Sequence, residues 1–137
     1  MYKYIGDTWK DIWKLSKHRL RYREKRMELR RQKTVERIPN PSRLDRANSL
    51  GYKAKTGFVV VQVKVSRGRL RKIRPSLGRR QKRTGISKIK RAKSIKTIAE
   101  ERALRKYRNL RILGSYFIGE DGSHKWIEVV LANPIIT

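Results

Sequence analysis

Acidic residues are scarce in this 137-residue chain: 11 Asp and Glu face 38 Lys and Arg, a formal net charge of +27. Between Asp45 and Glu100 there is no acid at all, yet those 54 residues hold 18 Lys or Arg. A small soluble domain usually carries a net charge of magnitude about 2–8. The excess here repels itself strongly, and the simplest remedy is a polyanion whose counterions are released on binding.

Cysteine is missing altogether, which excludes a disulfide framework and a thiolate metal site and agrees with an intracellular protein. No run of about 18 apolar residues exists, so nothing is expected to span a bilayer. The first 13 residues are amphipathic and aromatic, without the apolar core and small-residue cleavage site of a secretory signal. Only two histidines occur, His18 and His124, and neither has a carboxylate or thiol neighbour at ligand spacing, so no metal is expected. Glu100 and Glu101, adjacent on a helix, point about 100° apart and do not form a carboxylate dyad. No strand–GxxxxGK–helix arrangement exists for a nucleotide. A nuclease or RNA-modifying enzyme would need one of these devices, so the expectation is a non-catalytic protein with no cofactor and no small-molecule substrate. Aliphatic and aromatic residues make up 37%, low for a globular chain, and only part of the chain is expected to line a core.

What is present divides the chain. Residues 7–33 read as one long basic helix, with Trp9, Trp13, Leu20 and Met27 near one stripe and Ile12 beside it. Lys10, Lys14, Lys17, Arg21, Lys25 and Arg30 lie on the remaining face. Pro39 and Pro41 open a turn-rich linker. Residues 58–66 alternate as a strand, with Val59, Val61, Val63 and Val65 on one face and Gln62 and Lys64 on the other. Thr97-Ile98-Ala99-Glu100 has the form of a capping box, with Ser94 as a rival cap, and a helix is expected to about Lys106. Its Ala99 and Ala103 permit close approach to a sheet. Strands are expected over 110–118 and 125–132, paired antiparallel through an Asp121-Gly122 turn. Ile112, Gly114, Tyr116 and Ile118 alternate on one face of the pair, as do Ile127, Val129 and Leu131. The fold class expected is α+β: a small, mostly antiparallel sheet with flanking helices, a long basic N-terminal helix and an extended basic loop. One domain over 1–137 is expected, with a basic helix region at 1–38, a linker at 39–56, a core from 57–66 and 94–132, and a loop at 67–93.

That loop carries 13 cations: Arg67, Arg69, Arg71, Lys72, Arg74, Arg79, Arg80, Lys82, Arg83, Lys88, Lys90, Arg91 and Lys93. Glycine and proline recur through it without helical or strand period. A loop of this length is usually functional or disordered, and this one is expected to order on its partner. Arginine suits phosphate because its planar fork bonds bidentately and also stacks on splayed bases. A solvated basic tract is the plainer reading. Residues 43–55 form a second candidate, with Arg43, Arg46, Lys53 and Lys55 on phosphates and Tyr52 either stacked on a base or packed in a turn. Lys10, Lys14, Lys17 and Arg21 on the N-terminal helix form a third. Charge alone leaves RNA, DNA and a membrane surface open.

Four blocks of sequence narrow this choice. They are Met1-Tyr2-Lys3-Tyr4-Ile5 followed by Trp9; Arg43-Leu44-Asp45-Arg46-Ala47-Asn48-Ser49-Leu50-Gly51-Tyr52-Lys53-Ala54-Lys55 and Gly57; Ile98-Ala99-Glu100-Glu101-Arg102-Ala103; and Leu113-Gly114-Ser115-Tyr116-Phe117-Ile118-Gly119-Glu120-Asp121-Gly122 ending in Lys125-Trp126-Ile127-Glu128-Val129. In order and spacing the chain resembles the fifteen-e family of large-subunit ribosomal proteins of archaea and eukaryotes. The resemblance implies a mixed α+β core of four strands, extensions buried in ribosomal RNA, and a role in assembling and holding the large subunit. It implies large-subunit RNA and neighbouring ribosomal proteins as partners, a cytoplasmic location, no membrane and no catalysis. It also implies a Gly- and Arg-rich tail past the last strand. This sequence ends instead at Asn133-Pro134-Ile135-Ile136-Thr137, with Asn133 where the family usually has Asp, so tail contacts are not expected of it.

Overall fold

The computed structural model describes residues 2–14, 19–68, 72–87, 89 and 91–135, and the side chains of all of these but 12–14 and 19–21. In chain order the elements are α1 (Tyr2–Lys14), α2 (Arg19–Arg31), β1 (Val35–Ile38), α3 (Leu44–Ser49), β2 (Phe58–Ser66), a 3-10 turn (Gln81–Arg83), α4 (Ile95–Lys106), β3 (Arg111–Glu120) and β4 (His124–Ala132). The class is α+β, with a four-stranded antiparallel sheet in the order β1-β2-β4-β3.

β2 and β4 form the centre of the sheet, paired over nine residues from Phe58↔Ala132 to Ser66↔His124. β2 carries five valines and β4 two valines and an isoleucine, whose branched side chains pack well on a pleated surface. On one face Val61, Val63, Val65, Ile127, Val129 and Leu131 meet α4 through Ala99 and Ala103. Both alanines are 0% exposed and sit one helical turn apart, which lets α4 lie close to the sheet. Ser94 caps this helix by accepting the Thr97 N–H at 3.1 Å. The helix therefore starts on the rival cap, and Thr97-Ile98-Ala99-Glu100 lies inside it. The carboxylate of Glu100 is engaged elsewhere, by the Ser115 hydroxyl at 2.5 Å.

The other face is covered as well. Leu29 of α2 packs on Ile118 and Trp126, with Trp9 of α1 against them. Ala47 of α3 packs on Tyr116 and Val130, with Leu50, Tyr52 and Leu113. The indole of Trp126 is fully buried and donates to the Leu29 carbonyl at 3.1 Å, tying α2 to the sheet. One straight helix would hold Trp9 and Leu29 about 30 Å apart; here they share one cluster, so α1 and α2 are not collinear. The expected helix over 7–33 crosses residues 15–18, which lie outside the described residues.

Two short elements were not located by the sequence pattern, although the resemblance implied a fourth strand. β1 contributes only Val35 and Ile38 as apolar residues around Glu36 and Arg37, too little alternation to register as a strand. α3 lies in the expected linker. Its end is a Schellman motif: Tyr52 N–H donates to the Ala47 carbonyl at 3.0 Å and Gly51 N–H to Asn48 at 2.9 Å, with Gly51 at φ +87°. The face assigned to β3 also needs correction. An irregularity between Ile112 and Gly114 puts Ile112 on the α4 face, while Tyr116 and Ile118 take the opposite face. Gly114 meets Leu50, which lies 2.8 Å from where a Cβ would stand.

The turn between β3 and β4 has three residues. The Asp121 carboxylate accepts the backbone N–H groups of Ser123 at 2.8 Å and His124 at 2.6 Å, and the Nε–H of Arg30 at 2.8 Å.

Candidate nucleic-acid interface

The few acids of the chain are mostly engaged internally. Asp7 pairs with Lys10, Glu28 with Lys25, Asp45 with Arg43, Glu101 with Lys93, Glu120 with Lys125 and Asp121 with Arg30. Glu36 accepts the Lys33 N–H, Glu100 the Ser115 hydroxyl, and Glu128 the Ser42 N–H and Tyr116 hydroxyl. Nine of the eleven acids are thus engaged by other groups of the chain, and a surplus of cations is left for the surface.

The basic loop leaves β2 and returns at α4, and its two ends are tied to the core. Arg67 donates its backbone N–H to the Ser123 carbonyl at 2.8 Å and its guanidinium to the Asp121 carbonyl at 3.1 Å. The Arg91 guanidinium lies over Gly68, 2.9 Å from where a Cβ would stand, and Gly68 is at φ +63°. Lys93 pairs with Glu101 at 2.5 Å. Arg67 and Lys93 therefore have an anchoring role that the sequence did not reveal, and Arg91 lies against the opposite limb of the loop.

Between these anchors the described chain leaves the core. Lys72, Arg74, Arg79, Arg80, Lys82 and Arg83 are all exposed. For Arg74, Arg79, Arg80, Lys82 and Arg83 there is no ion-pair partner among the described residues. Ile73 and Leu77 are 97% and 90% exposed, so no apolar cover comes from the core. Gly78, at φ +65°, turns the chain so that Arg79, Arg80 and Arg83 line an open concavity of about 450 Å³ with it. The 3-10 turn spaces these arginines, and its end is held by Thr84, whose hydroxyl donates to the Gln81 carbonyl at 2.7 Å. Three guanidiniums around a glycine suit an anionic group, because the glycine lets backbone approach and the forks supply donors. Arg69, Arg71, Lys88 and Lys90 lie outside the described residues.

The second candidate divides. Arg46, Lys53 and Lys55 are exposed. Arg43 is turned inward, with its side chain 15% exposed, paired with Asp45 at 3.0 Å and lying over the Trp9 ring at 5.2 Å. Tyr52 is half-buried against Ala47 and meets Phe58 edge-on at 6.2 Å. Both residues thus have structural work beside α3, one at each of its ends. In the third candidate, Lys10 is exposed and pairs with Asp7 at 3.1 Å. The side chains of Lys14 and Arg21, and Lys17 as a whole, lie outside the described residues.

Arg105, Arg108 and Arg111, exposed beyond the acidic stretch of α4, were not among the expected binding residues. Their signal was weak because Glu100 and Glu101 precede them and break the run of cations. Among the described residues there is no group of three or more His, Asp or Glu able to hold a metal, and no helix long and apolar enough to cross a membrane.

Comparison with known proteins bears on what this surface serves. The chain is 50% identical over 133 residues to the large ribosomal subunit protein eL15 of Natronomonas pharaonis, a match covering 97% of this chain and 67% of that protein. The family model for Ribosomal L15, in its L15e form, matches residues 1–137. The chain belongs to the Ribosomal L15 (L15e) family.

Proposed function

We propose that this protein binds ribosomal RNA through cations displayed around a small folded core, and that this binding stabilises the large subunit during assembly and translation. Membership of the family makes it a structural, non-enzymatic constituent of the large ribosomal subunit, located in the cytoplasm with the ribosome. Ribosomal RNA and neighbouring ribosomal proteins are its partners in this reading.

The observation that carries the RNA reading is the contrast between core and loop. Most acids are paired with other groups of the chain, while Arg74, Arg79, Arg80, Lys82 and Arg83 stand exposed without a counter-charge among the described residues. Such a surface lowers its free energy by replacing counterions on a phosphate backbone. We assign Arg46, Lys53 and Lys55 to the same role, with loop 67–93 as the principal arm and the sheet with α4 as its anchor.

Competition between structured large-subunit RNA and duplex DNA, at about 150 mM salt, tests the reading. Clear preference for the RNA is expected. Equal binding would replace it with a general polyanion binder.

A further inference from the structure

The C-terminal end of α4 carries cations outside the loop. Arg105 and Arg108 line a concavity of about 590 Å³ together with Lys106, Tyr107, Asn109 and Leu110, and no acid lines it. Arg111, exposed, follows as the first residue of β3. None of the three arginines has an ion-pair partner among the described residues. The helix dipole accounts for basic residues in a last turn, where they complement the free carbonyls. That explanation reaches Arg105 and Lys106. Lys106 has structural work as well, donating to the Val35 carbonyl at 3.1 Å and lying over Tyr107 at 5.8 Å. It does not reach Arg108 and Arg111, which stand past the helix where the dipole has faded. A cavity combining guanidiniums, an aromatic ring and a side-chain amide has the donors for phosphate and the surfaces for a base.

Position gives this patch its meaning. The basic loop rejoins the core at the N-terminus of α4, and the patch lies at the opposite end of that 12-residue helix, about 18 Å away at 1.5 Å per residue. We propose that the protein is two-sided towards RNA: the loop holds one segment and the Arg105–Arg108–Arg111 patch holds a second, with α4 as a rigid spacer between them. This inference rests on the RNA-binding reading above.

The test is binding of the full chain to structured large-subunit RNA between 50 and 200 mM salt, with chemical footprinting of the RNA. The triple variant Arg105→Gln/Arg108→Gln/Arg111→Gln is compared with the wild type, and with the triple Arg→Lys variant, which keeps the charge. Three phosphate contacts contribute roughly 0.7–0.9 each to the salt slope, so the wild type should lose roughly 20- to 40-fold more affinity over that range than the Gln variant. The Gln variant should lose protection at one RNA segment, distinct from the segment exposed by neutralising Arg79, Arg80, Lys82 and Arg83, and the Lys variant should retain it. Circular dichroism checks folding. Should the triple variant not fold, Arg108→Gln alone repeats the test at one contact, with a difference of about threefold. An unchanged slope and footprint, with wild type bound, overturns the two-sided arrangement alone, as does loss of protection at the loop's own segment. Failure of the wild type to bind RNA overturns the RNA-binding reading as well.

Discussion

Replacing Tyr116 by Phe should destabilise the protein more at neutral pH than at mildly acid pH. Glu128 sits in the central strand β4, 0% exposed, where the single Ser42 N–H donates to its two carboxylate oxygens at 3.1 and 3.3 Å and the Tyr116 hydroxyl also donates to it. Burial pushes the Glu128 carboxyl above its usual range, against the opposing pull of the Ser42 and Tyr116 hydrogen bonds. Phe keeps the ring packed against Ala47 and Val130 and removes one donor, leaving a buried acceptor short of a partner at about 1–3 kcal/mol. For a chain of this length that is a fall in Tm of roughly 3–15 °C. The pH dependence follows by linkage. A carboxyl whose folded pKa is raised binds its proton more tightly when folded, so its stabilising contribution is present at low pH and is lost as pH rises through the folded value. Without the Tyr116 hydroxyl, which favours the charged form, that value rises further. The gap between wild type and Tyr116→Phe should therefore widen from pH 5 to pH 7.5 in urea unfolding monitored by circular dichroism. A loss below about 0.5 kcal/mol that does not change with pH would refute the reasoning about a buried, desolvated carboxylate.

Three other perturbations follow from the same packing. Trp126→Ala removes a fully buried indole and its bond to Leu29 and should cost about 3–5 kcal/mol, read as a lower urea midpoint. Asp121→Asn acts through a carboxyl held well below the usual range by the His124, Arg30 and Ser123 donors, which outweigh its burial. The stabilisation from Asp121 is present above the ordinary Asp pKa and is lost as pH falls through the depressed value. The variant should therefore be less stable near pH 7 and converge on wild type in strong acid, as acid titration of thermal unfolding will show. Ser94→Ala should cost about 1 kcal/mol by removing the cap of α4, whereas Thr97→Ala should cost less, since its backbone N–H still meets Ser94; thermal melts of the pair decide which residue is the cap.

The centre of the fold was legible because its residues obey a simple period. The valines of β2 were expected over 58–66 and form Phe58–Ser66, and the pairing of β3 with β4 follows from alternation on either side of Asp121-Gly122. Legibility fell where a short element depends on tertiary partners. β1 exists because its backbone pairs with β2 from Val35↔Val63 to Ile38↔Val60, which four residues beside Pro39 do not announce. α3 offered a cue in Gly51 after Leu44, Ala47 and Leu50, and that cue read instead as part of a basic linker. Sidedness in β3 was lost at the irregularity after Ile112, because period-2 reasoning has no means of locating an extra residue. For the candidate interface, cation density located the loop. It did not separate Arg67 and Lys93, which anchor the loop, from Arg79, Arg80 and Arg83, which project from it, because all five read alike as charge.

The most direct test of the account is sucrose-gradient sedimentation of ribosomes at moderate salt, with detection of this protein and of a variant carrying Arg74→Gln, Arg79→Gln, Arg80→Gln, Lys82→Gln and Arg83→Gln. The account predicts that the wild type sediments with the large subunit, while the variant remains folded but shifts to the free fractions. A wild type found mainly free, or a variant that sediments with the large subunit as fully as the wild type, would contradict it.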